Sequence, residues 1–293
     1  MPNVAVSPEV SIAYETFGDP GDPPVLLVMG LGAQMLAWHE DFCRALADCG
    51  RYVIRYDNRD CGLSTTFDEH PVETGEFIAT VSSGDISAAL AMVPYRLLDM
   101  ADDGLGLLTA LGIERAHVVG TSMGGMIAQT MALSSPQRVL TLTSMMSSTG
   151  ESEYGRSTPE AQAAVSAPKP ADREGYVAAA ERELVWASKR YGDAAALREL
   201  AAASYDRSYC PGGTGRQLGA MVLGGSRADA LRELRVPTLV IHGLDDTLIA
   251  PSGGERTAEL VPGAKLLLVP DMGHDRPREL WPRLIDALVS HTG

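Results

Sequence analysis

The stretch Ala116-His117-Val118-Val119-Gly120-Thr121-Ser122-Met123-Gly124-Gly125-Met126-Ile127 decides the fold. A short, mostly apolar run ends in a glycine-flanked serine, after which Met126, Ile127, Met131 and Leu133 recur at helical spacing. The pattern predicts strand, sharp turn, helix. Its centre, Gly120-x-Ser122-x-Gly124, matches G-x-S-x-G, in which a serine sits in a turn too tight for flanking side chains and exposes its hydroxyl at the end of the strand. Glycine at both ends removes the Cβ atoms that would clash there. In a chain with 30 glycines the bare pattern also arises by chance. The flanking strand and helix are what set this match apart.

Working outward, Val25-Leu26-Leu27-Val28-Met29 and Tyr52-Val53-Ile54-Arg55-Tyr56 read as strands, as do Val139 to Met146, Thr238 to Gly243 and Ala264 to Val269. The continuously apolar ones suit strands buried on both faces, as in a parallel sheet flanked by helices. Val10 to Phe17 alternates as a half-buried strand. Helical spacing joins Trp38, Phe42 and Leu46, runs from Tyr95 to Leu111 before the stop at Gly112, and closes the chain from Glu279 to His291. Residues 67–94, broken by Pro71, Gly75, Gly84 and Pro94, form no clear periodic face and read as an excursion beside the sheet. Between Glu151 and Arg235 strands give way to alanine-rich helical patterns, notably Tyr176 to Tyr191 and Ala194 to Tyr205. The expected organisation is an α/β core of residues 1–147 and 236–293 with an inserted helical cap of residues 148–235.

Bulk properties narrow the function classes. A net charge of −14 repels phosphate backbones and anionic lipid surfaces, which argues against nucleic-acid or membrane-surface binding. No basic segment followed by a long apolar stretch follows Met1, and no run is long enough to span a bilayer, so a cytoplasmic location is expected. Cys43, Cys49, Cys61 and Cys210 lack metal-site spacing and read as free, mostly buried thiols. Neither a metal nor another cofactor is expected. His117 and His242 lie within apolar strands and read as satisfied core residues, whereas His39, His70 and His291 are expected at the surface.

A serine hydroxyl needs a neighbouring base, and that base needs a partner that fixes its tautomer. Two later strands each run into a loop that supplies such a group: Gly243-Leu244-Asp245-Asp246 and Pro270-Asp271-Met272-Gly273-His274-Asp275. The order serine, aspartate, histidine is that of the α/β-hydrolases.

On these motifs, with the loop Met29-Gly30-Leu31-Gly32 and the turn Asp57-Asn58-Arg59-Asp60-Cys61-Gly62-Leu63-Ser64, the chain resembles the α/β-hydrolase superfamily over nearly its whole length. The resemblance implies a mostly parallel, eight-stranded type of sheet with flanking helices and a cap. The Val-Met-Gly opening, the Arg-Tyr-Asp-Asn-Arg turn and the Val-Val-Gly-Thr-Ser-Met-Gly elbow are more narrowly similar to the carboxylesterases that include aclacinomycin methylesterase. Carried over by position, the resemblance implies Ser122 as nucleophile, His274 as general base and Asp246 as orienting carboxylate. Asp246 is favoured over Asp245 because the family acid lies three residues after the glycine. The backbone N–H groups of Leu31 and Met123 are then the oxyanion donors. Many relatives carry histidine where Met29 stands, which leaves this loop's geometry open. Asp271 and Asp275 read as solvated turn residues.

The expected activity is hydrolysis of a small-molecule carboxylic ester, such as a methyl ester or a bulky, polyketide-like one, through an acyl-enzyme on Ser122. The same scaffold supports lactonases, C–C bond hydrolases, cofactor-free perhydrolases and, in another class, slow-turnover ligand receptors. Aspartate at position 122 would have pointed to dehalogenases or epoxide hydrolases. Trp186, Tyr205, Tyr209, Met221 and Leu223 of the cap, with Met146 and Leu248, are candidates for an apolar substrate pocket, or for the cap's own core.

Overall fold

The computed structural model describes residues 2–293. Its centre is an eight-stranded sheet of order β1-β2-β4-β3-β5-β6-β7-β8. The strands are β1 (Asn3–Ala5), β2 (Ser11–Phe17), β3 (Pro24–Val28), β4 (Tyr52–Tyr56), β5 (Ala116–Thr121), β6 (Val139–Met145), β7 (Thr238–Gly243) and β8 (Lys265–Val269). β1 and β2 join antiparallel, and every pairing from β4 through β8 is parallel. The short β1 carries too little pattern to be read from sequence.

The helices are α1 (Glu40–Ala47), α2 (Thr74–Ser82), α3 (Ile86–Met92), α4 (Leu97–Ala110), α5 (Met123–Ser134), α6 (Pro159–Ser166), α7 (Arg173–Ala179), α8 (Ala194–Arg207), α9 (Gly213–Leu223), α10 (Ala228–Glu233), α11 (Ser252–Leu260) and α12 (Trp281–Thr292). No described helix is long and apolar enough to cross a membrane.

Side chains alternate across a strand, so adjacent residues of β3 feed opposite cores. Leu26 and Val28 join Met100, Leu108, Ile127 and Met131 of α4 and α5. Val25 and Leu27 join Phe42, Leu46, Leu284 and Leu288 of α1 and α12. A strand buried on both faces has no polar alternation, which is why β3 and β5 read as continuous apolar runs.

Three segments depart from the sequence expectation. Residues 74–92 are not irregular: they form α2 and α3, anchored by the fully buried Phe77 and Ala89. Their single deep anchors are too sparse to register as periodicity. The helical pattern from Tyr176 to Tyr191 is interrupted: α7 stops at Ala179, a 3₁₀ segment follows to Val185, and Trp186 to Tyr191 are not helical. Within 148–235, α10 packs on α5 and α11, and Ala228, Leu231 and Leu234 belong to the main core. The last part of that insertion is thus continuous with the sheet's helical layer.

The chain leaves β3 toward β4 on one side, whereas β5 pairs with β3 on the other, Val28 lying opposite Gly120. In open parallel sheets ligands bind at such a switch point, beyond the carboxyl ends of the strands. The loops after β3 and β5 are therefore neighbours, and they carry Leu31 and Ser122.

Candidate active site

Ser122 adopts φ 56° and ψ −125°, a conformation that L-residues with a Cβ rarely take. The packing around it enforces this. A Cβ on Gly120 would come within 2.0 Å of Gly124 O, and one on Gly124 within 2.3 Å of Val28 O. The elbow is further held by Ser122 N–H donating to Met145 O at 2.9 Å and by the Ser147 hydroxyl donating to Ser122 O at 2.8 Å. Met123 opens α5, so its N–H lies among the helix-terminal donors that lack an intrahelical acceptor. The helix dipole adds partial positive charge there.

Opposite lies the loop after β3. A Cβ on Gly30 would stand 3.1 Å from Ser122 Cβ. Met29 O accepts from Asn58 Nδ2 at 2.9 Å, and Met29 Sδ lies 3.8 Å from Arg276 Nη2. The methionine that stands where many relatives have histidine is thus held by its carbonyl, and the loop is ordered around it.

β7 and β8 bring Asp246 and His274 together. His274 Nδ1 lies 2.7 Å from Asp246 Oδ2. A carboxylate partner on Nδ1 fixes the tautomer with Nδ1 protonated and leaves Nε2 as the basic nitrogen. Asp246 Oδ1 accepts the N–H groups of Leu248 and Ile249, each at 2.9 Å. Burial opposes ionisation of Asp246 most strongly. The charge of His274 and hydrogen bonds from His242 and His274 outweigh it and hold the carboxyl at about 2. Asp245, the alternative acid, turns away: it accepts the Lys189 N–H and lies 3.7 Å from its ammonium.

Four supporting residues escaped the sequence reading. His242 is more than a satisfied core residue. Its Nε2 lies 2.8 Å from Ile249 O and 3.4 Å from Asp246 Oδ2, while its buried Nδ1 has no partner among the described residues. It approaches the same Asp246 oxygen that His274 binds, a contact hidden by its place in an apolar run. Arg276 reaches back across the sheet edge, donating to Ala37 O at 2.8 Å and Thr121 Oγ1 at 3.2 Å and stacking 4.2 Å from the Trp38 ring. Burial lowers its guanidinium to about 10. Asp275 is not a solvated turn residue: its carboxylate accepts the N–H groups of Ser188 and Gly273. Glu183, in the 3₁₀ segment, has its carboxyl raised by burial, with the charges of Lys169 and His274 opposing.

The expected pocket residues scatter. Met146 is fully enclosed in the core cluster with Met29, Trp38, Met145 and Met272. Tyr205 stacks on Tyr209 at 4.8 Å and on Tyr176 at 5.4 Å, and its hydroxyl donates to Ala171 O, forming a half-buried aromatic cluster within the cap. Met221 and Leu223 pack against the main core. Trp186 and Leu248 do reach the acid–base loops, through their backbones: Trp186 O accepts the His274 N–H at 2.7 Å, and Leu248 N–H donates to Asp246.

Among the other histidines, His117 Nδ1 pairs with Thr141 Oγ1 at 2.9 Å, as a core residue should. His291, expected at the surface, is half-buried with Nε2 3.1 Å from Leu142 O. Asp60, Asp68 and Cys210 converge closely enough to hold a metal ion, but Arg216 already pairs with both carboxylates. Such a donor set does not fit a cation.

The α/β-hydrolase fold family model matches residues 23–275, and the chain belongs to that family. Among characterised relatives, it is 29% identical to the rhodomycin D methylesterase DauP of Streptomyces sp. (strain C5), over 97% of this chain and 95% of that one. It is 28% identical to the rhodomycin D methylesterase DnrP of Streptomyces peucetius, with the same coverage. The crystal structure of a hydrolase from Pseudomonas aeruginosa PA01 superposes with a TM-score of 0.72 and 25% identity, covering 100% of this chain and 98% of the other.

Proposed function

We propose that the protein is a serine hydrolase that cleaves a carboxylic ester through an acyl-enzyme on Ser122. The observation that carries this reading is the 2.7 Å His274–Asp246 pair beyond the carboxyl ends of β7 and β8, at the same edge of the parallel sheet where a strained Ser122 follows β5. The Ser122 hydroxyl attacks the ester carbonyl while His274 Nε2 takes its proton. The oxyanion is met by the N–H groups of Leu31 and Met123. His274 then gives the proton to the departing alkoxide, leaving the acyl group on Ser122. Water, deprotonated by His274, attacks that ester, and collapse returns the proton to Ser122 and releases the acid.

The two rhodomycin D methylesterases, similar over nearly the full length, support a methyl ester as the substrate class. Replacing Ser122 with alanine is expected to lower kcat by roughly 10⁴- to 10⁶-fold on a p-nitrophenyl ester and to abolish fluorophosphonate labelling. Full turnover by that variant would end the proposal. Faster hydrolysis of aryl methyl esters than of lactones of equal size is the expected substrate order.

A further inference from the structure

The loop after β3 is hydrogen-bonded to the core only at its ends, with Leu31 and Ala33 between them packed against it. Asn58 Nδ2 binds Met29 O at 2.9 Å, and Asp57 Oδ1 accepts Met35 N–H at 2.8 Å. Between them Gly30-Leu31-Gly32-Ala33 forms a turn whose own closing bond, Ala33 N–H to Gly30 O, is long at 3.4 Å. Gly32 at the third position has φ +63°, which is the type II arrangement. Glycine on either side of Leu31 offers little intrinsic resistance to rotation of the turn as a body between its two anchored ends, a motion that would carry the Leu31 N–H with it.

One side chain opposes that rotation, and it comes from α9. Gln217 Oε1 accepts the Gly32 N–H at 2.8 Å, while its Nε2 donates to Arg59 O at 2.7 Å. The amide is fully buried, and turning it over would set like groups against each other at both ends. Thr214, one turn earlier on α9, fills the space beside Gly32: a Cβ there would meet Thr214 Oγ1 at 2.6 Å. The Arg216 guanidinium fixes α9 itself through a bidentate pair with Asp60, 2.8 and 2.7 Å.

We propose that Gln217 is a positioning residue for the Leu31 N–H, so that the oxyanion site of this enzyme is completed by a helix of the 148–235 segment rather than by the sheet alone. This rests on the serine-hydrolase reading above. Gln217 touches no reacting atom. By holding Gly32 N–H it restrains the residue next to Leu31, on a loop whose Gly30 already lies against Ser122.

The test pairs kinetics with a tetrahedral mimic. Gln217→Met keeps the side-chain length and removes the acceptor. Its kcat on a p-nitrophenyl ester is expected to fall about 10- to 100-fold with KM nearly unchanged, the scale of a misplaced catalytic donor. Phenylboronic acid, which adds to a reactive serine as a tetrahedral anion, is expected to lose affinity by a similar factor, while binding of the carboxylate product stays constant. Gln217→Glu, which in the neutral form that burial favours keeps an acceptor for Gly32 N–H and an O–H donor for Arg59 O, is expected to recover most of kcat. Arg173→Ala, which breaks a surface ion pair within the cap, is expected to match the wild type. Should Gln217→Met not fold, Gln217→Asn, one methylene short, carries the same expectation of reduced kcat and boronate affinity. Retention of kcat and boronate affinity in a folded Gln217→Met or Gln217→Asn overturns the assignment. So does a loss expressed in KM and shared equally by Gln217→Glu. A wild type that is neither labelled by fluorophosphonate nor bound by the boronate overturns the serine-hydrolase reading instead.

Discussion

α5 and α8 are of similar length and differ in how they are held. In α5 nine residues are buried, from Met123 to Ala132, whereas α8 buries none. α5 is fixed by close packing of backbone on backbone. α8 is fixed at its end by polar ties: Arg207 pairs with buried Asp57 at 2.7 Å, and Gln34 Nε2 donates to the carbonyls of Ser204 and Ser208. A site built between two such regions has one wall that cannot shift without unfolding and another whose position depends on a few hydrogen bonds. The proposed nucleophile stands on the first wall. The segment around Trp186 belongs to the second, and Gln217 stands between them on α9, whose Ala220 is part of the main core.

The contrast can be broken most severely at the acid–base pair. Asp246→Asn keeps the side-chain shape but favours the wrong tautomer of His274, and kcat is expected to fall by about 10⁴-fold, as in the Ser-His-Asp enzymes. Steady-state turnover with intact circular dichroism checks it. Gly124→Ala attacks the packed wall itself. The added methyl meets two backbone carbonyls, of Val28 and Met29, at 2.3 and 2.6 Å, so the loss is expected at or above about 3 kcal/mol. In thermal unfolding that is a drop on the order of 10 °C. On the other wall, Tyr205→Phe removes only the half-exposed hydroxyl bond to Ala171 O, and the expected cost is at most about 1 kcal/mol.

Acid should act on the core as well. Burial, with the charges of Arg51 and His291, lowers His117 to about 4. Its unfolded form takes a proton near pH 6.5, so the native state loses stability as pH falls from about 6.5 toward 4. His117→Gln should flatten that part of the urea midpoint–pH curve. Asp246 acts lower, its contribution being present above about pH 4 and lost as pH approaches 2.

Where chemistry requires a residue type at a fixed place on a strand end, the sequence was readable: Gly120, Ser122, Gly124, Asp246 and His274 announce themselves by their spacing. The supporting shell was not. His242 looked like one more core residue, because nothing local distinguishes a histidine facing apolar neighbours from one facing Asp246. Asp275 looked like a turn residue because its partner, Ser188, is 87 positions away. Gln217 carries no local signal at all, its partner Gly32 lying 185 positions off.

The sequence by itself determined the alternation of strands and helices and the identity of the proposed serine, aspartate and histidine. The alternation follows from side-chain period and the serine from the clash that only glycine avoids at a tight turn, whereas the aspartate and histidine rest on their order after later strands and on the resemblance to the α/β-hydrolases. Tertiary structure alone decided which cap residues meet which loops, that Met146 is enclosed in the core, and that α9 completes the turn beside Ser122. Those contacts are single hydrogen bonds between distant segments, and no periodicity records them.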